Sequence, residues 1–251
     1  MKIKEIDDIK FLYYGAMSWI VMPRLFHKFL TPSLSDFSNF NVQEKPEDLI
    51  IKLLGKDIPE TIMEEYDELQ SSLQSIYNNV QLKYPLQFRI EDNTSFFIYS
   101  LVRLCQPLKI VETGVANGHS SFFILNALIK NGKGKLYSID INPNVGSLIT
   151  EDLKRNWELF ILTKRNKKIL EEFLKEIYPI DIFIHDSNHL YYWQELEYNL
   201  ALKYVKKNGF VASDDVDGSY AFLDFIKRNK LSPFFLYDRG KIFGVALLHN
   251  N

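Results

Sequence analysis

The arrangement of apolar and polar residues changes near residue 90. Before it, helical patterns are interrupted by prolines, and the clearest helical run is Glu60–Lys83, where apolar residues recur three or four positions apart. From about residue 92, short apolar runs alternate with longer helical patterns. The chain is therefore predicted to have a helical N-terminal extension, residues 1–90, followed by an α/β domain, residues 91–251.

The α/β part is predicted to contain seven short strands separated by helices. The predicted strands are Leu108–Glu112, Lys135–Ile139, Glu158–Leu162, Asp181–Ile184, Phe210–Ala212, Phe234–Tyr237 and Phe243–Leu248. The predicted helices are Thr94–Cys105, Ser120–Lys130, Leu148–Arg155, Lys167–Ile177, Tyr191–Lys206 and Tyr220–Arg228. Alternating strands and helices form a parallel sheet. The last two strands, joined by a short connector that contains Gly240, predict an antiparallel hairpin at the C-terminal end.

Composition narrows the class of protein. Apolar residues make up 46% of the chain, enough for a sizeable core, and the net charge of −2 argues against general nucleic-acid binding. The lone Cys105 cannot form an intrachain disulfide, so a reducing cytoplasm is expected. The apolar run Phe11–Met22 falls short of the roughly 20 residues that a membrane-spanning helix needs. A buried lid or dimer helix is favoured there over a helix on a membrane surface.

A turn with two glycines, Gly114–Gly118, follows the first predicted strand, and we call it the glycine turn. Gly114 and Gly118 permit a tight turn and a close approach of a ligand to the backbone. The fingerprint for NAD needs glycine at the first, third and sixth positions, but Ala116 and His119 occupy the latter two. Glu112, beside the turn, suits a ligand that carries positive charge. The alternative is an ordinary turn between a strand and a helix.

An acid, Asp140, ends the second predicted strand. Its carboxylate could accept hydrogen bonds from both hydroxyls of a ribose. The alternative is a loop-starting aspartate that caps Asn142 or its neighbours. Ligands of parallel sheets bind at the carboxyl ends of strands, so the residues after strands one, two, four and five are the candidates for a site.

These motifs resemble those of the class I methyltransferases that depend on S-adenosyl-L-methionine (SAM), over roughly residues 92–248. Val111–Gly118 is similar to the first motif of that class, and Asp140 matches the second. The resemblance implies a Rossmann-like, mostly parallel seven-stranded sheet and SAM as the cofactor. The implied cofactor-binding residues are Glu112, Gly114, Gly118, Ser120, Asp140 and Asp186. The class often has an acid near the adenine after the third strand, whereas residues 163–166 contain none.

Two later segments resemble a branch that includes small-molecule and sugar O-methyltransferases and cephalosporin hydroxylase-like proteins. The segments are Ile182–His189 and Gly209–Asp215. The resemblance implies that Asp186, Asp214 and Asp215 bind Mg²⁺, and that His189 is the general base beside Asp186 in the catalytic set.

The crowding of these three acids also favours a bound cation. Three carboxylates at adjacent strand ends repel one another unless a cation or protons offset them. Carboxylate oxygens are also the ligands that Mg²⁺ and Ca²⁺ prefer. The alternatives are that Asp214 and Asp215 form a turn that caps the next helix, and that His189 is a solvated residue at a helix start.

The sequence therefore predicts a SAM-dependent O-methyltransferase that acts on a small hydroxylated acceptor, with a sugar as one candidate. A non-catalytic SAM-binding module and a nucleotide-cofactor oxidoreductase are the alternatives, and Ala116 and the terminal hairpin disfavour the oxidoreductase. The N-terminal extension is expected to cover the cleft or to form a homodimer contact.

Overall fold

The computed structural model describes residues 26–163 and 166–248, so the predicted helix at Phe11–Met22 lies outside the described residues. The strands are β1 (Val42–Gln43), β2 (Lys109–Thr113), β3 (Lys135–Asp140), β4 (Trp157–Ile161), β5 (Ile180–His185), β6 (Val205–Ser213), β7 (Ser232–Asp238) and β8 (Lys241–Leu247). The helices are α1 (Pro46–Leu54), α2 (Glu60–Asn79), α3 (Asp92–Cys105), α4 (His119–Lys130), α5 (Lys167–Glu176), α6 (Tyr191–Tyr204) and α7 (Ala221–Asn229).

The described strands form one eight-stranded sheet in the order β1-β7-β8-β6-β5-β2-β3-β4. All neighbouring strands are parallel except that β8 runs antiparallel to β6 and β7. The predicted terminal hairpin is therefore confirmed. Its turn residues Arg239 and Gly240 have φ angles of 50° and 94°, the left-handed conformation that two-residue hairpin turns require.

The structure corrects the sequence prediction in three places. The sheet has eight strands rather than seven, because two residues of the extension that was predicted to be helical form β1 and pair with β7. Helix α2 ends at Asn79, before the predicted Lys83, because Val80 adopts an extended conformation. The predicted helix Leu148–Arg155 is largely loop and contains a single 3-10 turn, Leu153–Asn156. The amide of Leu148 instead donates to the carbonyl of Asn117, which ties this loop to the glycine turn.

The core lies on both faces of the sheet. Along β5, Ile182 and Ile184 belong to one hydrophobic cluster and Phe183 belongs to the other, so the strand is buried on both faces. Such double burial explains why the centre of the strand, Ile182–Ile184, is apolar at three consecutive positions. Helices α1–α4 contribute to the first cluster and α5–α7 to the second. Within the described ranges, no helix is long and apolar enough to cross a bilayer.

The N-terminal helices share the core of the sheet rather than forming a core of their own. In the first cluster, Leu49 of α1 and Leu73 of α2 are buried together with residues of α3, α4 and the strands. The ring of Tyr66 on α2 stacks on Phe123 of α4, with centroids 4.9 Å apart. This packing fixes the segment between α2 and α3, residues 80–91, against the carboxyl edge of the sheet. We call this segment the connector.

Candidate active site

The ends of three central strands meet at one edge of the sheet. The register pairs Thr113 of β2 with His185 of β5, and His185 with Ser213 of β6. The next residues continue this ladder, because the amide of Asp186 donates to the carbonyl of Thr113 at 2.9 Å. The amide of Asp214 likewise donates to the carbonyl of His185 at 2.9 Å. The structure therefore brings the glycine turn and these two acids side by side.

A cleft of about 720 Å³ opens above these strand ends. This volume lies within the range of roughly 300–1,000 Å³ that is typical of small-molecule sites. Six of the predicted site residues line it, namely Gly114, Asp140, Asp186, His189, Asp214 and Asp215. The other walls come from the connector, from Ile139–Asn142 and from the start of α6. The edge of the sheet that the sequence singled out thus contains a cavity of suitable size.

Gly114 is required by both its backbone conformation and its surroundings. Its φ angle is 83°, which L side chains rarely adopt. A Cβ atom at this position would lie 1.9 Å from the carbonyl oxygen of Asp186. The glycine turn therefore passes directly against the end of β5, which places the floor of the cleft beside the Asp186 backbone.

The structure places Glu112 and Ser120, which the sequence predicts to bind the cofactor, behind the glycine turn. Glu112 is fully buried and lies outside the cleft lining, as do Gly118 and Ser120. Its carboxylate accepts hydrogen bonds from the hydroxyls of Ser120, Ser121 (2.6 Å) and Ser138 (2.9 Å). Burial raises the pKa of Glu112, and the three serines oppose that shift. The cluster braces the glycine turn from behind and joins it to α4 and β3.

Asp140 makes the capping bonds of a loop-starting aspartate and also lines the cleft. One carboxylate oxygen accepts from the amide of Asn142 at 2.9 Å, as expected of a loop-starting aspartate. The other accepts from the amide of Val115 in the glycine turn at 3.0 Å. The side chain also lines the cleft. The capping bonds therefore hold the carboxylate in place at the mouth of the cleft, where a ribose would need it.

The acids after β5 and β6 repel one another. Burial, followed by the charges of Asp214 and Asp215, raises the pKa of the Asp186 carboxyl well above its ordinary value. Burial and then Asp215 raise the pKa of Asp214 in the same direction. Lys241, at the start of β8, compensates only part of this charge. Its ammonium nitrogen lies 3.2 Å from Asp215 Oδ1 and 3.4 Å from Glu91 Oε1.

The predicted magnesium ligands fit a divalent cation chemically but are not yet assembled around one. Asp186, Asp214 and Asp215 all present carboxylates to the cleft. However, Asp215 is the acid that lies beside Lys241. Over residues 26–163 and 166–248, no three side chains of His, Cys, Asp or Glu are grouped so that they could hold one ion.

His189 has the properties of a neutral base. Its Nε2 atom lies 3.8 Å from Asp186 Oδ1, and its Nδ1 atom is buried without a hydrogen-bond partner. Burial, and then the neighbouring His185, lowers the pKa of His189 to about 4. The imidazole is therefore uncharged near neutral pH and able to accept a proton.

The structure also reveals a buried carboxylate that the sequence did not single out. Glu197 of α6 accepts hydrogen bonds from Thr113 Oγ1 and His185 Nδ1, each at 2.6 Å, and from Ser187 Oγ at 3.1 Å. His185 is fully buried. Glu197 thus fixes the ends of β2 and β5 to α6. No sequence signal separates it from the exposed acids of a helix.

The connector is attached to the glycine turn. Asn117 Oδ1 accepts from the amides of Lys83 and Tyr84, both at 3.1 Å, and Asn117 Nδ2 donates to the Tyr84 carbonyl at 2.8 Å. Asn142 Nδ2 donates to the Tyr84 hydroxyl at 2.6 Å. The connector therefore forms a wall of the same cleft, with Tyr84, Gln87, Phe88 and Arg89 in its lining.

Comparison with known proteins agrees with this geometry. Residues 111–216 match the family described as "Methyltransferase domain". A catechol O-methyltransferase from Niastella koreensis is 24% identical over 131 residues, which cover 51% of this chain and 58% of that protein. The chain thus matches less than two thirds of the length of this curated relative.

Solved structures show the same fold at low sequence identity. The O-methyltransferase from Bacillus cereus, solved in complex with SAH, aligns with a TM-score of 0.57 and 16% identity, covering 80% of this chain and 96% of that chain. TomG from Streptomyces achromogenes, an O-methyltransferase solved with SAM, aligns with a TM-score of 0.55 and 16% identity, covering 81% and 96%.

The fold, the cleft and the matched region agree with one another. Residues 111–216 match a methyltransferase domain, and the whole described sheet is Rossmann-like, mostly parallel with the antiparallel strand β8. These findings support the resemblance found in the sequence.

Proposed function

We propose that this chain transfers the methyl group of SAM to a hydroxyl oxygen of a small acceptor. The observation that carries the proposal is one cleft in which Gly114 and Asp140 adjoin Asp186 and His189. Gly114 and Asp140 would hold the cofactor, and Asp186 and His189 would receive the proton of the acceptor. Their proximity suits a direct transfer between two bound molecules, a reaction that depends on close, in-line placement.

The cofactor half of the cleft suits the chemistry of SAM. The Asp140 carboxylate, held by two backbone amides, is free to accept hydrogen bonds from ribose hydroxyls on its remaining lone pairs. SAM carries a sulfonium and an ammonium, and the acids of the cleft favour both positive charges. The raised pKa of Asp186 supports this, because burial and then the neighbouring acids disfavour its charged form, and a bound cation would favour that form.

The acceptor half supplies a route for the proton. As the acceptor oxygen attacks the methyl carbon, the carbon–sulfur bond of SAM breaks and the sulfonium becomes a neutral thioether. The hydroxyl proton must leave at the same time. His189 is neutral near pH 7 and would take it at Nε2, beside Asp186. Asp186 then faces an imidazolium and stabilises its charge.

We also propose that a magnesium ion assists the transfer. Asp186, Asp214 and Asp215 would hold the ion, which requires Asp215 to exchange its contact with Lys241 for the metal. When bound, a divalent cation would lower the pKa of the acceptor hydroxyl. Binding of Mn²⁺ in place of Mg²⁺, followed by electron paramagnetic resonance, tests this part without an acceptor. Saturable binding that disappears in Asp186→Asn supports it, and identical weak binding in both proteins contradicts it.

A turnover assay tests the function as a whole. Hydroxylated aromatics and sugars would be screened with SAM carrying a labelled methyl group, and the product would be identified by mass spectrometry. We expect a methyl ether as the product. A chain that binds SAM but methylates no acceptor across both classes would instead match the non-catalytic SAM-binding module.

A further inference from the structure

The charged side chains that line the cleft are mostly acidic. Five carboxylates line it, from Asp140, Asp186, Glu197, Asp214 and Asp215. Among the described residues, one arginine, Arg89, and one lysine, Lys241, contribute to the lining. SAM, however, carries a carboxylate in addition to its two positive charges. If the proposed function holds, this carboxylate must find a cation or backbone amides in a cleft that otherwise repels it.

Lys241 is poorly suited to this task. Its ammonium nitrogen lies between Asp215 and Glu91, 3.2 Å and 3.4 Å from their carboxylate oxygens. It also lies beside the acids that follow β6, where an incoming carboxylate would meet negative charge. Its positive charge is thus already compensated by two acids.

Arg89 is differently placed. It belongs to the connector, and within the described chain its nearest carboxylate is that of Asp92, 3.8 Å from Nη2 and beyond hydrogen-bonding distance. Asp92 is held more tightly by Arg239, at 2.7 Å. The donors of the Arg89 guanidinium are therefore not taken up by a close ion pair, although the residue lines the cleft.

The guanidinium of Arg89 also lies near the glycine turn. His119, the first residue of α4, directly follows Gly118, and its Nδ1 atom lies 2.7 Å from the hydroxyl of Tyr77. Burial, and second the positive charge of Arg89, lowers the pKa of His119 to about 4. Burial raises the pKa of Tyr77, and the charge of Arg89 and a side-chain hydrogen bond from it oppose that shift. Arg89 therefore faces the side of the cleft formed by the glycine turn and the start of α4.

We propose that Arg89 binds the carboxylate of the amino-acid part of the cofactor, so that the N-terminal extension completes the cofactor site. The geometry places on the cleft wall a guanidinium without a close ion pair, on a connector that is bonded to Asn117 of the glycine turn. Arginine suits this task because its planar fork can donate two parallel hydrogen bonds to one carboxylate. The proposal depends on the proposed use of SAM.

The test compares two ligands that differ at the amino-acid part. S-adenosylhomocysteine carries the carboxylate, and 5′-methylthioadenosine lacks it. Both would be titrated by calorimetry into the wild type, Arg89→Gln, Arg89→Lys and the control Arg239→Gln, which removes an arginine from the same Asp92 but lies outside the cleft lining. Thermal unfolding of each variant would establish that it is folded.

We expect Arg89→Gln to weaken S-adenosylhomocysteine binding roughly 10- to 100-fold, the effect of losing charge-assisted hydrogen bonds. Its affinity for 5′-methylthioadenosine should change by less than about twofold, Arg89→Lys should recover part of the loss, and Arg239→Gln should bind as the wild type does. An unchanged affinity for S-adenosylhomocysteine in Arg89→Gln would overturn the inference. An equal loss for both ligands would overturn it as well, because the carboxylate would not be the group recognised. A wild type that binds neither ligand would contradict the proposed function itself.

Discussion

Replacement of Gly114 by alanine separates backbone strain from close packing at the floor of the cleft. The new Cβ atom would lie 1.9 Å from the Asp186 carbonyl oxygen, whereas ordinary contacts begin near 3.4 Å. The glycine turn or the end of β5 must therefore move by about 1.5 Å, the difference between these two distances. Because Asp186 follows β5 directly, the same movement shifts an acid that lines the cleft.

The expected loss of stability has two parts. An alanine at a φ of 83° pays the left-handed penalty, about 1–2 kcal/mol. Displacing packed backbone adds roughly 1–3 kcal/mol, as for other overpacked sites. Gly114→Ala should therefore unfold with a free energy lower than that of the wild type by about 2–5 kcal/mol.

Gly132→Ala is the matched control. Gly132 also has a positive φ, 68°, but a Cβ atom there would meet no atom within 4 Å. Only the backbone penalty of about 1–2 kcal/mol applies, and the affinity for S-adenosylhomocysteine should not change. Urea denaturation measures the stability of both variants and calorimetry measures ligand binding. If Gly114→Ala proves no less stable than Gly132→Ala and binds ligand normally, the close approach to Asp186 has no consequence and the reasoning fails.

Three further substitutions test other parts of the site. Asp140→Ala should weaken S-adenosylhomocysteine binding about 10-fold or more in calorimetry, through lost charge-assisted hydrogen bonds, and unchanged affinity in a folded variant would count against the ribose contact. Burial raises the pKa of Glu112, so its ionisation opposes folding, and the stability of the wild type relative to Glu112→Gln should fall as the pH rises above the ordinary carboxyl pKa of 4.5. A difference in unfolding free energy that stays constant with pH would contradict this sign. His189→Asn should lower turnover of an acceptor about 10²–10⁴-fold while leaving ligand affinity nearly unchanged, and wild-type turnover should decline as the pH falls through about 4. Full turnover in His189→Asn would remove this residue from the mechanism.

The sequence predicted the parts of the molecule that depend on local pattern. The apolar centre of β5, Ile182–Ile184, identifies the strand by itself. Asp186 therefore falls at a strand end, whatever the packing of the helices. The hairpin turn at Gly240 was predicted for the same reason, since only a few residue types accept its backbone conformation. In both cases the residues of one short segment suffice to predict the structure of that segment.

The parts that escaped prediction depend on contacts between distant segments. Strand β1 has two residues, too few for alternation to be recognised, and exists because β7 lies beside it. Glu112 was predicted to bind the cofactor, but three serines from α4 and β3 hold its carboxylate behind the glycine turn. Arg89 lies in a connector without any motif, and only the packing of α2 and α3 brings it to the cleft. Such placements follow from tertiary structure rather than from local sequence.

The most direct test of the account is the binding of S-adenosylhomocysteine to the wild-type chain. Titration calorimetry should give a saturable isotherm with about one site per chain and a dissociation constant in the micromolar range or tighter, roughly −8 kcal/mol or stronger. The same experiment with NAD should give no saturable heat, because Ala116 and His119 stand where a pyrophosphate turn needs glycine. Absence of S-adenosylhomocysteine binding up to about 1 mM, or preferential binding of NAD, would contradict the proposed function.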